Sequence, residues 1–249
     1  MNLKFLPFKS KSFISVYSLI NEKRRVQRNA SILQTIKENK KWNIYNKLHR
    51  EEKELNRILP AFIMNSGSQY WYKNGKIHRD DLESGDSSNQ DGCEKGRVLP
   101  AIIYSNGDQQ WFNNGKCHRD DLDENGRVLP AMVDSNGTQE WWENGKLHRD
   151  DLEYGDSSNQ DGCEKGRVLP AIIFNNGDRY WYKNGKRHRD ELDEKGRVLP
   201  AAIYSNGAQI WYKNDLLHRD DLDENGRVLP AIILNNETKK YWINGRFLK

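Results

Sequence analysis

The sequence predicts an all-β fold, an elongated solenoid of antiparallel β-hairpin repeats with a short helical N-terminal cap. First, a Leu-Pro-Ala string recurs every 30 or 40 residues, and stacked structural units have periods of this size. Second, Asn-Gly pairs, a strong hairpin signal, divide each period into short segments. Third, only 35% of the residues are hydrophobic, which suits a thin core shared by neighbouring units. The repeated prolines are Pro60, Pro100, Pro130, Pro170, Pro200 and Pro230.

The first 55 residues are predicted to form a basic, mainly helical arm. They carry 13 Lys and Arg against 5 Asp and Glu, whereas the rest of the chain carries 27 against 31. Apolar residues at helical spacing from Phe13 to Ile20 predict one helix. Ser31 followed by Gln34 is a capping-box pattern, so a second helix, with Ile32, Leu33 and Ile36 at helical spacing, is expected to start there. A basic arm can contact nucleic acid or anionic lipid, but such charge more often solvates a helix, and nucleic acid is not the expected partner.

The segment from Trp42 to Arg50 closes the N-terminal region, residues 1–55, as a degenerate half-repeat. It matches the segment from Trp71 to Arg79, with the same gap between Trp and His. Terminal units of a repeat array are commonly atypical because they cap the stack. Six full repeats are then expected in residues 56–249, starting near residues 57, 97, 127, 167, 197 and 227.

One repeat extends from Leu99 to Gly126, and it begins with a strand. Leu99, Ala101 and Ile103 alternate, so they are expected on one face of that strand. The pair Asn106-Gly107 is expected to supply the positive backbone angles of a tight hairpin turn.

The rest of the repeat is predicted to contain two further short strands. Residues 109–113 form the return strand, with Trp111 near its centre, and Asn114-Gly115 makes a second hairpin turn. Residues 116–119 form a third strand, and residues 120–126 form a polar loop.

The two faces of the strands differ between repeats. One face keeps Trp71, Trp111, Trp141, Trp181 and Trp211, and also Ile63, Ile103, Val133, Ile173, Ile203 and Ile233, and it is predicted to be buried. Neighbours on a strand point to opposite sides, so the residues beside these, such as Ile102, Ile172 and Ala202, are expected on the other face. One interpretation of that face is packing, as a second layer or as the place where the N-terminal helix lies. The other interpretation is a binding surface for a protein partner. Its candidate binding residues are Tyr72, Tyr104, Phe112, Trp142, Phe174, Tyr182, Tyr204 and Tyr212.

Two acidic turns match the first half of a calcium-binding loop. Oxygen ligands at alternate positions followed by Gly suit Ca²⁺, and the candidate ligands are Asp121, Asp123, Asn125, Asp221, Asp223 and Asn225. The closing Glu is missing, and Lys195 stands at a ligand position in a third copy, so an acidic turn is the favoured interpretation. The repeated His-Arg-Asp string is interpreted as structural, with Arg119 pairing with acidic residues and the histidines bonding between repeats. No catalytic residue and no cofactor are predicted.

The segments Tyr180–His188 and Trp141–His148 resemble MORN (membrane occupation and recognition nexus) repeats. They are closer to the variant Trp-x-x-Asn-Gly-Lys-x-His-Arg repeats of giant DNA viruses and some bacteria. The resemblance covers residues 57–249, and the chain departs from it in its longer period and its Leu-Pro-Ala string. It implies β-hairpin scaffolds, dimerisers or membrane-proximal adaptors, with no common catalytic residue.

The expected function is therefore a non-enzymatic scaffold for protein–protein interaction, viral if the resemblance extends to its source. A cation-binding or membrane-surface adaptor and an antitoxin-like repeat protein are the alternatives. Protein partners of unknown identity, self-association and a membrane surface are the expected contacts. The three cysteines show no Cys-x-x-Cys spacing, which indicates free thiols in a reducing compartment. The predicted location is the cytoplasm, that of the host cell if the chain is viral.

Overall fold

A computed structural model describes residues 32–36, 39–44, 47–54, 57–82, 96–153 and 166–248. Every regular element within these ranges is a β-strand, which confirms the all-β fold of antiparallel hairpin repeats. The chain divides between Lys116 and Cys117 into two compact units. The helix expected from Phe13 to Ile20 lies outside the described residues.

The first unit begins with a strand where a helix was expected. Residues Ile32–Ile36 pair antiparallel with the next strand, with Leu33 opposite Trp42. The expectation of a helix from Ser31 was therefore wrong, because Ile and Thr are also good strand formers and an adjacent strand is available for pairing. The strands of this unit are β1 (Ile32–Ile36), β2 (Asn39–Ile44), β3 (Lys47–Leu48), β4 (Lys53–Glu54), β5 (Arg57–Ile58), β6 (Phe62–Ile63), β7 (Gln69–Tyr70), β8 (Tyr72–Lys73), β9 (Lys76–Ile77), β10 (Ile102–Ile103), β11 (Gln109–Gln110) and β12 (Phe112–Asn113). Seven of them form a sheet, six in the order β1-β2-β6-β7-β10-β11, with β3 paired to β2 beside this path.

After β13 (Lys116–Cys117), the second unit repeats the same plan with nine strands in one sheet, in the order β14-β15-β20-β21-β24-β25-β28-β29-β30. Its strands are β14 (Met132–Val133), β15 (Gln139–Glu140), β16 (Trp142–Glu143), β17 (Lys146–Leu147), β18 (Leu152–Glu153), β19 (Arg167–Val168), β20 (Ile172–Ile173), β21 (Arg179–Tyr180), β22 (Tyr182–Lys183), β23 (Lys186–Arg187), β24 (Ala202–Ile203), β25 (Gln209–Ile210), β26 (Tyr212–Lys213), β27 (Leu216–Leu217), β28 (Ile232–Ile233), β29 (Lys239–Ile243) and β30 (Arg246–Leu248).

Each described repeat contains three hairpins except the last, which contains two, and the first two hairpins use Asn-Gly in different ways. In the first hairpin only Gly107 has a positive φ, and its N–H donates to the carbonyl of Tyr104 at 3.0 Å. This is a type I turn closed by a glycine bulge, not the turn with two positive angles that the sequence suggested. In the second hairpin both Asn114 and Gly115 have positive φ, 50° and 84°, as a type I′ turn requires.

The segment expected to be a polar loop forms the third hairpin. Leu122 pairs with Val128, and the N–H of Leu129 donates to the carbonyl of Asp121 at 2.8 Å. The same pairing recurs at Leu82 and Val98, at Leu192 and Val198, and at Leu222 and Val228. Backbone hydrogen bonds therefore pair most of the length of a repeat, even though most of its strands are only two residues long.

The core is built around the repeated tryptophan. The five tryptophans at the repeated position are only 4–6% exposed, as expected for the buried face. The indole N–H of Trp181 donates to the carbonyl of Val168 at 2.8 Å, and its backbone N–H donates to the carbonyl of Ala201 in the next repeat at 2.9 Å. Ala201, the residue that follows Leu199-Pro200, is completely buried. At this position the core therefore has no room for a side chain larger than a methyl group.

The arginines of four His-Arg-Asp strings, Arg79, Arg149, Arg189 and Arg219, lie over the tryptophan rings of their repeats. In the repeat of Trp141, the guanidinium of Arg149 lies 3.7 Å from the ring centre and donates to Asp151 at 2.8 Å and to the carbonyl of Pro170 at 3.2 Å. Arg119 likewise donates to Asp121 at 2.8 Å, so the predicted pairing with an acidic residue is present within its own repeat. One side chain thus joins the ring, the third hairpin and the next repeat.

The histidines connect consecutive repeats. Nδ1 of His188 accepts a hydrogen bond from the backbone N–H of Asn214 at 3.2 Å, and His49 does the same for Asn74 at 2.9 Å. Nε2 of each ring faces a carboxylate, as in His118 and Asp120 at 2.8 Å. Six histidines share this geometry, which accounts for their spacing in the sequence without a metal.

The predicted division between an inner and an outer strand face needs correction. Ile103, expected in the shared core, is only half-buried, whereas its neighbour Ile102 is 3% exposed. Ile172 and Ala202, also assigned to the outer face, are buried as well. Simple alternation failed because the sheet is packed on both sides: tryptophans cover one side, and tyrosines and phenylalanines partly cover the other.

Candidate protein-binding face

The second side of the sheet carries a cluster of aromatic rings in the first unit. Phe62 is the cross-strand partner of Tyr70, and their ring centres are 5.4 Å apart. The ring of Tyr104, from the next repeat, meets Tyr70 edge to face at 6.0 Å. Tyr72, two residues after Tyr70, is close enough to interact electrostatically with the phenols of Tyr70 and Tyr104. We name Tyr70, Tyr72 and Tyr104 the first tyrosine triad.

An equivalent cluster lies in the second unit. Tyr180, Tyr182 and Tyr204 occupy the same repeat positions as the first triad, and we name them the second tyrosine triad. Tyr180 meets Tyr204 edge to face at 5.6 Å, and Phe174 packs against Tyr180 at 5.5 Å. The two triads therefore share both their sequence positions and their ring geometry.

Burial raises the phenol pKa of two tyrosines in each triad, Tyr70 and Tyr72 in the first and Tyr180 and Tyr182 in the second. Burial raises the pKa of Tyr70, and the neighbouring phenols of Tyr104 and Tyr72 raise it further. Burial also raises the pKa of Tyr180, which in addition shares a hydrogen bond with Tyr204. At neutral pH each cluster consequently offers uncharged rings and hydroxyl groups that can both donate and accept hydrogen bonds.

The triads are partly accessible, as a binding surface must be. All six tyrosines are half-buried, and Phe174 beside the second triad is 36% exposed. Tyrosine suits this position because its ring packs on the sheet while its hydroxyl reaches water. Aromatic side chains that are half-exposed and grouped are typical of protein interfaces.

The other predicted binding residues lie outside the triads. Phe112 is half-buried in β12, and Trp142 donates from its indole N–H to Glu140 at 2.8 Å. Tyr212 lies under the guanidinium of Arg187, 4.1 Å from the ring centre. Trp142 and Tyr212 are thus already engaged by charged neighbours, which sets them apart from the triads.

Tyr70 and Tyr180 were absent from the predicted binding residues. Each stands directly before a tryptophan, where other repeats have Gln110, Glu140 or Ile210. A comparison of repeats at this position would have indicated them, since only these two repeats have Tyr there, and in both the next repeat has Tyr four residues after its proline.

The candidate calcium ligands are engaged by N–H groups. Oδ1 of Asp123 accepts from the backbone N–H groups of Asn125 and Arg127, both at 2.9 Å, and Oδ2 accepts from the Arg127 side chain at 3.0 Å. Asp223 makes the same bonds with Asn225 and Arg227, while Asp121 and Asp221 bind the buried arginines of their repeats. In the described ranges, no group of three or more His, Cys, Asp or Glu side chains is arranged to hold a metal ion.

Two further properties concern thiols and membranes. Cys117 is buried and unpaired, and its thiol lies 4.0 Å from the carbonyl of Ala131, while Cys93 and Cys163 lie outside the described residues. In the part of the chain that the structure describes, there is no helix of sufficient length and hydrophobicity to cross a membrane.

Similarity to known proteins does not assign a function to this chain, so the assignment rests on the geometry of the site. No protein-family model matches the chain, and no curated protein matches it.

Proposed function

We propose that the chain is a non-enzymatic repeat scaffold that binds a protein partner through its tyrosine triads. One observation carries the proposal: the same three tyrosines recur at equivalent positions in each compact unit, with matching edge-to-face contacts. The position of Tyr70 and Tyr180 is not kept in the other repeats, since the residue before the tryptophan position is Tyr, Gln, Glu, Tyr, Ile and Lys in the six full repeats. Packing alone accepts all of these residues, so the recurrence of the triad favours recognition.

The chemistry of the triads favours a polypeptide ligand of low charge. Tyrosine supplies a large contact area at a small cost in side-chain entropy, and it is enriched among the residues that dominate binding energy. The neutral phenols offer hydrogen bonds to peptide groups without a charge that has to be desolvated. The resemblance to MORN-like repeat families adds a second reason, because those families imply scaffolds and adaptors.

Two equivalent sites on one chain would also increase avidity. A partner with two copies of the recognised segment binds the second site as an intramolecular event, which strengthens binding without any new kind of contact. Loss of one triad should then weaken binding to such a partner far more than twofold.

The test compares the full chain with a variant built from its own repeats. Tyr70→Gln and Tyr180→Gln place at both triads the residue that position 110 already carries. Partners captured by the full chain from cells of its source should be lost by the double variant. Glu140→Gln, at the same position in a repeat that supplies no triad tyrosine, is the matched control and should retain them. Equal capture by all three proteins would contradict the proposal.

A further inference from the structure

The third hairpins of the second unit expose a leucine at one repeated position. Leu122, Leu192 and Leu222 are 52%, 57% and 54% exposed, and Leu152 at the same position is half-buried. A single exposed leucine on a protein surface needs no explanation, but grouped exposed apolar side chains mark interaction sites. This row is separate from the tyrosine triads, which belong to the first and second hairpins.

Hydrogen bonds between third hairpins place these leucines side by side. The backbone N–H of Val128 donates to the carboxylate of Asp151 in the next repeat at 3.1 Å, and that of Val198 donates to Asp221 at 3.2 Å. Val168 donates to Glu191 in the same way. Consecutive leucines are therefore separated by one repeat, about 10 Å for two strands of the sheet. We name Leu122, Leu152, Leu192 and Leu222 the leucine ridge.

The ridge is bordered by negative charge. Residues 120–127 contain four carboxylates and one arginine, and residues 220–227 have the same composition. At the hairpin tips, Glu124, Glu194 and Glu224 are exposed and form no ion pair with another described residue. A partner that covers the leucines must therefore be apolar and positively charged.

The chain itself contains a segment of this chemistry. Residues 1–31 hold seven Lys and Arg against a single Glu, together with apolar residues such as Phe13, Ile14 and Ile20. Charge complementarity of this kind selects a partner and speeds association, while the apolar contact supplies most of the affinity.

We propose that the leucine ridge binds residues 1–31 of a second copy of the chain. The two copies contribute different surfaces, so the contact is heterologous and each new copy leaves a free ridge and a free basic segment. The product is an open assembly whose size grows with concentration. This proposal does not depend on the function proposed for the tyrosine triads.

Sedimentation velocity of the full chain tests the proposal. The mean mass should rise with protein concentration at low salt and fall when salt is added, because screening weakens the charged part of the contact. Leu122→Ser, Leu192→Ser and Leu222→Ser together should weaken association at least about tenfold, with an unchanged melting temperature. Leu216→Ser with Phe247→Ser, which changes exposed apolar residues outside the ridge, is the control and should associate like the original chain.

A charge-exchange experiment identifies the occupant. One variant carries Glu124→Lys, Glu194→Lys and Glu224→Lys, and the other carries Arg24→Glu, Arg25→Glu and Arg28→Glu. Each alone should lose self-association, and a mixture of the two should regain it, because the original segment of the first variant then meets the original ridge of the second, and a reversed segment meets a reversed ridge. A mixture that stays monomeric would overturn the proposal. So would an original chain that is monomeric at every concentration, as it would be if the segment bound its own chain or the ridge served another protein.

Discussion

The tryptophan side and the tyrosine side differ in how strictly the repeats of this chain keep their residues. At the tryptophan position, five of the six full repeats keep Trp, and each indole N–H donates to a main-chain carbonyl. One residue earlier, the six repeats use five different residue types. A tryptophan whose indole N–H donates to a backbone carbonyl and whose ring carries a stacked arginine cannot be replaced without leaving buried polar groups unpaired. A tyrosine ring that only packs against its neighbours can be replaced without that loss.

The largest effect is expected from the tryptophan side. Trp181→Ala should lower the free energy of unfolding by about 3–5 kcal/mol, because it opens a cavity beside Ala201 and leaves the Val168 carbonyl without its donor. Trp181→Phe keeps most of the packing and should cost less. Urea unfolding followed by fluorescence or circular dichroism measures both, and a cost below about 1 kcal/mol for the alanine variant would contradict this account.

A smaller loss is expected from the arginine that covers the tryptophan. Arg189 lies 3.9 Å from the ring centre of Trp181 and donates to the carbonyl of Pro200 at 3.2 Å. Arg189→Met should cost about 1.5–3 kcal/mol, because the carbonyl and the Glu191 carboxylate lose a charged donor. Arg197→Met, which breaks a surface pair with Asp193, is the matched control and should cost less than about 1 kcal/mol. Equal losses in urea unfolding would show that the stacked position has no special role.

The buried thiol predicts a loss of stability in alkali. Burial, with Glu140 nearby, raises the pKa of the Cys117 thiol from 9.0 to about 12. The unfolded chain therefore releases this proton first, so the contribution of the thiol to stability is complete below pH 9 and is lost as the pH rises towards 12. Between pH 8 and pH 11 the original chain should lose stability more steeply than Cys117→Val. Parallel profiles from thermal melts would rule out this origin of the alkaline sensitivity.

Much of the repeat could be predicted because its signals are local. Asn114-Gly115 specifies a turn by its own backbone preferences, and the Leu-Pro-Ala period places each tryptophan. The strand at Ile32–Ile36 was missed because a five-residue segment with three apolar residues suits helix and strand alike, and its pairing with β2 decides the outcome. The tyrosine triads depend on register between repeats: Tyr70 and Tyr104 are distant in sequence, and their contact follows only from the pairing of β7 with β10.

The position of Ile102 shows the same limit. Alternation along one strand gives two faces but does not say whether one or both are covered. The rings that bury Ile102 come from neighbouring strands, as its pairing opposite Tyr70 indicates. The identity of a core residue is thus a property of the stacked repeats and not of one repeat.

The difference between the tryptophan side and the tyrosine side is tested most directly on two variants, for each of which both the free energy of unfolding and the capture of the partner are measured. For Tyr70→Gln with Tyr180→Gln, the account predicts a stability loss below about 1 kcal/mol per site, together with loss of the captured partner. For Trp181→Phe, whose Phe keeps the fold, it predicts a measurable stability loss with the partner retained. If the tyrosine variant instead unfolds as readily as Trp181→Ala, both sides are core and the triads are not a recognition surface.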